Sequence, residues 1–261
     1  MKRRYFSIIY ILVFLFAFAG QAIGESLYTI SALDDNLVKV ESLKEDKGMR
    51  IMVEKESEKY YYSLNKTVEI IPLQLGKGTY TIKILQNTSG DKYKVVQKQD
   101  INVINNNLSE IYLASTQPVY WDDKEKVIEL AQNLTKGKNT DKEKIESIYK
   151  YIVNNIKYDY NKIKGLSNDY VPEIHKVLAD KSGICYDYAA LFAGMLRSLG
   201  IPTKLVKGYK SDLKEYHAWN QVFLDGKWVV IDTTYDAALK KDNVKISMIK
   251  DAIEYNNVRE Y

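Results

Sequence analysis

An α+β fold is predicted: a helix bearing Cys185 packed on an antiparallel sheet, preceded by a small β-sandwich. Three observations predict it. Residues 185–199 carry apolar side chains at helical spacing, closed by Gly200 and Pro202. Residues 217–224 and 228–232 alternate about Asp225-Gly226, a strong two-residue hairpin signal. Residues 25–117 break into short, turn-bounded segments rich in β-branched and aromatic residues. The expected organisation is a targeting segment over 1–24, a β-rich, Ig-like sandwich over 25–117 and an α+β unit over 118–261. At 261 residues, with 46% hydrophobic and 28% charged residues, the chain has the composition of an ordinary globular protein.

In chain order, the first 24 residues read as a secretory signal. Lys2, Arg3 and Arg4 form a basic start, residues 6–19 are apolar, and Ala22-Ile23-Gly24 offers small residues for cleavage. The apolar run is short for a stable membrane span, so a secreted or cell-surface protein is expected. Cleavage after Gly24 removes three of the 38 basic residues and none of the 34 acidic ones. The mature chain is then almost neutral, and no net positive field argues for nucleic-acid binding.

Within 25–117, alternation over 36–43, the apolar run 49–53, Tyr60-Tyr61-Tyr62 leading to 68–73, and residues 79–85 read as strands. Gly76-Lys77-Gly78 and residues 87–91 read as turns, followed by strand pattern at 93–97 and 100–103. Residues 105–109 and 115–118 mark a polar boundary. Beyond it Val127, Ile128, Ala131 and Leu134 share a helical face, and Gly137 ends that element. Thr140-Asp-Lys-Glu143 is a capping box for a helix defined by Ile145, Ile148, Tyr149, Ile152 and Ile156. Tyr158-Asp159-Tyr160 starts a loop, and 171–179 predicts a short helix leading to Ser182. A helix over 246–253, packed near the cleft, is expected in the tail.

The chemistry concentrates between Gly183 and Asp232. Cys185, the only cysteine, falls in the first turn of its helix, where free N–H groups and the positive dipole end favour the nucleophilic thiolate. With one cysteine no internal disulfide forms; a buried, inert core thiol is the plain alternative. With a two-residue loop, Leu224 pairs with Lys227, Trp219 with Asp232 and His217 with Thr234. His217 and Asp232 are then diagonal neighbours on one face, with Cβ atoms roughly 7 Å or less apart. Imidazole and carboxylate can meet, giving a base and its orienting group. The other histidine, His175, has no such carboxylate beside it and reads as a surface or packing residue. No zinc-ligand spacing, calcium loop or phosphate-binding glycine loop is present, and no metal or cofactor is expected.

These residues resemble the transglutaminase-like core of the papain-like cysteine enzymes. The likeness is carried by Gly183-x-Cys185-x-Asp187-Tyr188-Ala189, Arg197-x-x-Gly200-Ile201-Pro202, Gly208-Tyr209, His217-Ala218-Trp219-Asn220 and Trp228-x-x-x-Asp232, in that order, over about residues 140–236. The resemblance implies a catalytic Cys185–His217–Asp232 triad attacking an amide of a protein or peptide, including one linked to the cell wall, through a thioester acyl-enzyme. Hydrolysis is favoured over cross-linking because it needs the fewest extra features. The Cys185 backbone N–H helps to stabilise the oxyanion, and Tyr158 is a candidate second donor. The calcium dependence of animal transglutaminases is not carried over, since no calcium loop is present. The alternatives are a non-catalytic cell-surface binding or scaffold protein on the same fold, and a cell-wall endopeptidase.

Overall fold

The computed structural model describes residues 27–33, 36–45, 48–105, 108–167, 169–240 and 246–261. The expected signal segment, 1–24, lies outside them. No helix among the described residues is long and apolar enough to cross a membrane.

The first half forms two antiparallel sheets. One holds β1 (Tyr28–Ala32), β2 (Leu37–Ser42) and β5 (Val68–Pro72), in the order β1-β2-β5. The other holds β3 (Met49–Lys55), β4 (Glu58–Ser63), β6 (Gly78–Ser89) and β7 (Lys92–Val103), in the order β4-β3-β6-β7. Their inner faces meet in one cluster, with Ile30, Val38, Val40 and Ile71 from the first sheet and Ile51, Val53, Tyr80, Ile82 and Ile84 from the second. The alternation of buried and exposed residues along β3, β4 and β6 is that of a sandwich with one dry face per sheet. The buried Tyr80 hydroxyl donates to the Leu73 carbonyl at 3.1 Å and the Gly76 carbonyl at 2.8 Å, so a large ring enters the core without a stranded polar tip.

Three sequence expectations change here. β1 lies outside the segments expected as strands. Residues 87–91 are not one loose turn: β6 runs to Ser89 with a bulge, and the chain reverses at Gly90 (φ 53°), where Asn87 Nδ2 donates to the Gly90 carbonyl at 2.6 Å. Residues 93–97 and 100–103 join into the single strand β7, because continuous pairing with β6 carries the exposed Lys98-Gln99 across the gap.

The second half begins with α1 (Leu108–Ile111), α2 (Lys126–Thr135) and α3 (Asp141–Asn155). α3 starts with both halves of the expected capping box: Thr140 Oγ1 accepts from the Glu143 N–H at 3.2 Å, and Glu143 accepts from the Thr140 N–H at 3.0 Å. Then follow β8 (Lys157–Tyr158), α4 (Ile174–Asp180), β9 (Ser182–Gly183), α5 (Cys185–Ser198), β10 (Thr203–Lys210), β11 (His217–Leu224), β12 (Lys227–Ile231), α6 (Thr233–Leu239), β13 (Ile249–Lys250) and β14 (Tyr255–Glu260). The last sheet has the order β13-β12-β11-β10-β14. α5 is the buried axis of this half, with all of Tyr188–Ala193 and Met195–Leu196 at 1% exposure or less. It packs on β10 and β11 and is flanked by α2, α3, α4 and α6.

The tail corrects another expectation. Residues 246–253 form no α-helix; β13 pairs with β12, and β14 pairs with β10. Both edges of a three-strand sheet offered unpaired N–H and C=O groups, and the tail satisfies them. Tyr261 then packs edge-on against Tyr60 and Tyr62, tying the chain end to the sandwich.

Candidate active site

Cys185 is the first residue of α5. It is placed there by a short parallel pairing of β8 with β9, Lys157 opposite Ser182 and Tyr158 opposite Gly183. The Asp187 carboxylate locks this entry. It is fully buried and accepts from the Ile184 N–H at 2.8 Å, from Lys162 Nζ at 2.7 Å and from the Tyr170 hydroxyl. Gly183 is required for the close approach, since a Cβ there would lie 2.6 Å from Cβ of Asp187. Apart from its place in the Gly183–Ala189 block, Asp187 drew no role from the sequence; the usable signal was a carboxylate at the third helical position, where it satisfies an orphan N–H.

The hairpin pairs Leu224 with Lys227 as expected, with Asp225 and Gly226 at positive φ (51° and 78°) in the left-handed turn the loop demands. The ladder ends at Asn220 opposite Ile231, so the expected pairs Trp219–Asp232 and His217–Thr234 do not form. Asp232 instead caps α6: its Oδ1 accepts from the Tyr235 N–H at 3.0 Å, and Thr233 and Thr234 turn into the helix. The intended meeting survives. His217 Nε2 lies 2.8 Å from Asp232 Oδ2, which also accepts from the Tyr255 hydroxyl at 3.2 Å. Three donors thus hold one buried carboxylate in place, and a strand of the unexpected tail supplies one of them.

With Nε2 turned to Asp232, the other ring nitrogen of His217 is left for the Cys185 thiol, which lies within hydrogen-bonding reach of the imidazole. Burial works against a charged His217, but hydrogen bonds and charges from Asp232 and Cys185 outweigh it, and the ring is pushed up to about 10. Trp219 stacks beside His217, with ring centroids 6.1 Å apart. Asn220 joins strand to helix, its Nδ2 donating to the Ala189 carbonyl at 3.0 Å and the Lys204 carbonyl at 3.1 Å. That bridge sets the depth at which α5 sits on β11, and therefore how Cys185 meets His217.

Tyr158 adjoins the site; burial and the nearby charge of Cys185 push its phenol up to about 12. Lys207, on β10, drew no notice in the sequence. Its ammonium lies 3.4 Å from the ring centroid of Tyr186, the residue after Cys185. His175 is 52% exposed, 3.8 Å from Glu125 and 3.7 Å from Glu173. A cavity of about 650 Å³ lies elsewhere, lined by residues such as Lys66, Gln117, Trp121 and His175. None of Cys185, His217 and Asp232 lines it; the titrating groups and their mutual contacts, not cavity size, mark the candidate site.

Residues 128–233 match the family model described as the transglutaminase-like superfamily core. The chain is 33% identical over 143 residues to the UPF0252 protein of Methanocaldococcus jannaschii, covering 48% of this chain and 40% of that protein. It is 30% identical over 121 residues to the kyphoscoliosis peptidase of Homo sapiens, covering 42% of this chain and 18% of that one. The chain therefore spans less than half the length of the curated relatives it matches. Among solved structures, the periplasmic domain of TgpA from Pseudomonas aeruginosa aligns at 14% identity and TM-score 0.43, over 76% of this chain and 91% of that one. LapG of Legionella pneumophila aligns at 18% identity and TM-score 0.41, over 59% of this chain and 83% of that one.

Proposed function

From the premise that residues 128–233 are a transglutaminase-like core, we propose that this chain is an exported cysteine enzyme that cleaves an amide in a protein or peptide. Cys185 is its nucleophile, His217 its acid–base and Asp232 the orienting carboxylate. The observation that carries the reading is the ordering of three buried or half-buried groups. Asp232 holds one face of His217 at 2.8 Å, and the thiol at the start of α5 meets the other.

The steps follow from that order. The raised His217 keeps its proton at neutral pH and so stands as the imidazolium partner that a cysteine nucleophile uses in its thiolate form. Sulfur attacks the amide carbon; the C–S bond forms and the carbonyl electrons move to oxygen. The Cys185 N–H, free at the first turn of α5, donates to that oxyanion, and the Tyr158 hydroxyl, which holds its proton up to about 12, is the second donor. His217 delivers its proton to the leaving nitrogen as the C–N bond breaks, which leaves a thioester. His217 then takes a proton from water as water attacks, and the thiol is restored with release of the acid.

The export reading rests on the basic, apolar and small-residue order of the first 24 residues. The test is the pH dependence of Cys185 alkylation by iodoacetamide, wild type against His217→Ala. A plateau reached well below the free-thiol range of about 8.5, and lost in the variant, is expected. Slow alkylation that rises only near that range, identical in both proteins, rejects the enzyme in favour of a binding or scaffold role. Incorporation of a labelled amine into a peptide substrate, in place of release of the acid, would assign cross-linking.

A further inference from the structure

Buried charges in the second half of the molecule come with opposite partners. Asp187 meets Lys162 at 2.7 Å, Asp232 meets His217 at 2.8 Å, and Asp236 meets Lys250. Lys210 meets Asp212 at 2.6 Å and Glu254 at 3.2 Å. Arg197 has no carboxylate partner among the described residues either, but its N–H groups are satisfied by the carbonyls of Thr203, Ala114 and Tyr261 at 2.8–2.9 Å. Lys207 breaks the pattern. Among the described residues no carboxylate pairs with it. Its ammonium is held by ring faces alone, 3.4 Å from the centroid of Tyr186 and 5.3 Å from that of Tyr261.

The lysine belongs to the candidate site by its placement. On β10 it pairs with Ala218, beside His217 in the chain, and because side chains alternate it lies on the sheet face that α5 covers, at the end where α5 begins with Cys185 and Tyr186. Tyr186, which carries the ammonium, follows Cys185 on α5. The cage is fixed in turn: Tyr170 meets Tyr186 edge-on at 6.2 Å, and Tyr170 is tied to Asp187 by its hydroxyl. Burial draws the Lys207 amine down to about 8, while the charge of Cys185 pulls the other way, so the ammonium and the sulfur sense each other.

We propose that Lys207 is a carboxylate-binding subsite beside Cys185, and that the acyl donor carries an acidic side chain on the residue that joins the thioester. A half-buried ammonium with rings on one side and no carboxylate of its own has unused N–H donors, and a desolvated cation strongly attracts an incoming anion. Asp187, the nearest acidic residue in sequence to the nucleophile, is occupied by Lys162, and Asp232 by His217, so neither competes for Lys207. The subsite is a specificity determinant: it selects which amide reaches Cys185 and does not take part in bond breaking.

The proposal rests on Cys185 being the nucleophile, and its test is built to fail separately from that reading. The rates of Cys185 alkylation by iodoacetate and by neutral iodoacetamide are measured at neutral pH and low salt in wild type, Lys207→Met and Lys207→Arg. The ratio of the two rates reports the local field and cancels changes in sulfur reactivity. The iodoacetate-to-iodoacetamide ratio is expected to fall roughly tenfold in Lys207→Met, to persist in Lys207→Arg, and to shrink with salt in wild type. Should Lys207→Met not fold, Lys207→Gln carries the same comparison. A ratio within about twofold of wild type in the uncharged variant overturns the subsite, even if its Tm drops, and leaves the lysine a structural cation–π contact. Failure of the nucleophile reading shows elsewhere, as iodoacetamide rates that are slow and unchanged in His217→Ala.

Discussion

The two halves of this chain bury different things. Between the sheets of the sandwich lie Ile, Val, Leu and Tyr, and the Tyr80 hydroxyl finds backbone carbonyls; among the described residues its one buried carboxylate is Glu69 on β5, pushed up by burial. Around α5 the core is just as apolar, yet it also encloses Asp187, Arg197, Lys210, His217, Asp232 and Asp236. Burying a charge costs far more than burying a methyl group, and a pair must be well satisfied merely to break even. A fold that needs only stability does what the sandwich does. The second half holds several of its charges, Asp187, His217 and Asp232, in fixed geometry beside one thiol, which is the arrangement chemistry requires.

Substitutions break this comparison in order of size. Cys185→Ala is expected to abolish amide cleavage and active-site labelling while leaving the fold intact, as read by circular dichroism. Asp232→Asn keeps the shape but withdraws the charge that holds His217 protonated and oriented; a loss in kcat of roughly 10²–10⁴ is expected, measured on any substrate that wild type turns over. If Asp232→Asn retained full activity, the carboxylate would be only a helix cap.

Core truncations sharpen the contrast. Ile51→Ala, in the sandwich, and Phe192→Ala, in α5, both empty fully buried sites. Each is expected to cost about 2–5 kcal/mol in denaturant unfolding. Only Phe192→Ala should also slow Cys185 alkylation, since α5 carries the thiol. Equal slowing by both would mean that the sandwich supports the site as strongly as the helix does.

The pH dependence of stability separates the charges themselves. His217 holds its proton up to about 10 when folded, against an ordinary 6.5. Its contribution is therefore complete below about 6.5 and is lost as pH rises towards 10. Lys207 runs the other way: folded it titrates near 8, against an ordinary 10.5, so the unfolded chain binds more protons and stability rises across that interval. Asp232→Asn should flatten the alkaline decline in Tm, and Lys207→Met should steepen it. The smallest effect belongs to a helix end far from the site. Thr140→Ala should cost about 1 kcal/mol through loss of the capping box, with alkylation unchanged.

What could be read without coordinates was whatever depends on near neighbours in the chain. The helix start at Cys185, the Asp225-Gly226 turn, the Thr140–Glu143 box and the approach of His217 to Asp232 all follow from period, cap and turn chemistry within a few residues or across one tight hairpin. The same local reasoning failed where distant strands compete. It ran β12 on through Asp232, although the capping bond to Tyr235 turns the chain into α6. It read the tail as helical, although the sheet edges at β12 and β10, earlier in the chain, recruit it as strands. Lys207 was invisible for a related reason: a lysine on a strand looks like a solvated charge until the rings of Tyr186 and Tyr261 are seen to lie against one side of it. Tertiary structure alone decided which edges were left bare, how deep α5 sits on β11, and which cation was left with neither carboxylate nor carbonyl partners, because each depends on burial shared by segments that the chain order keeps apart.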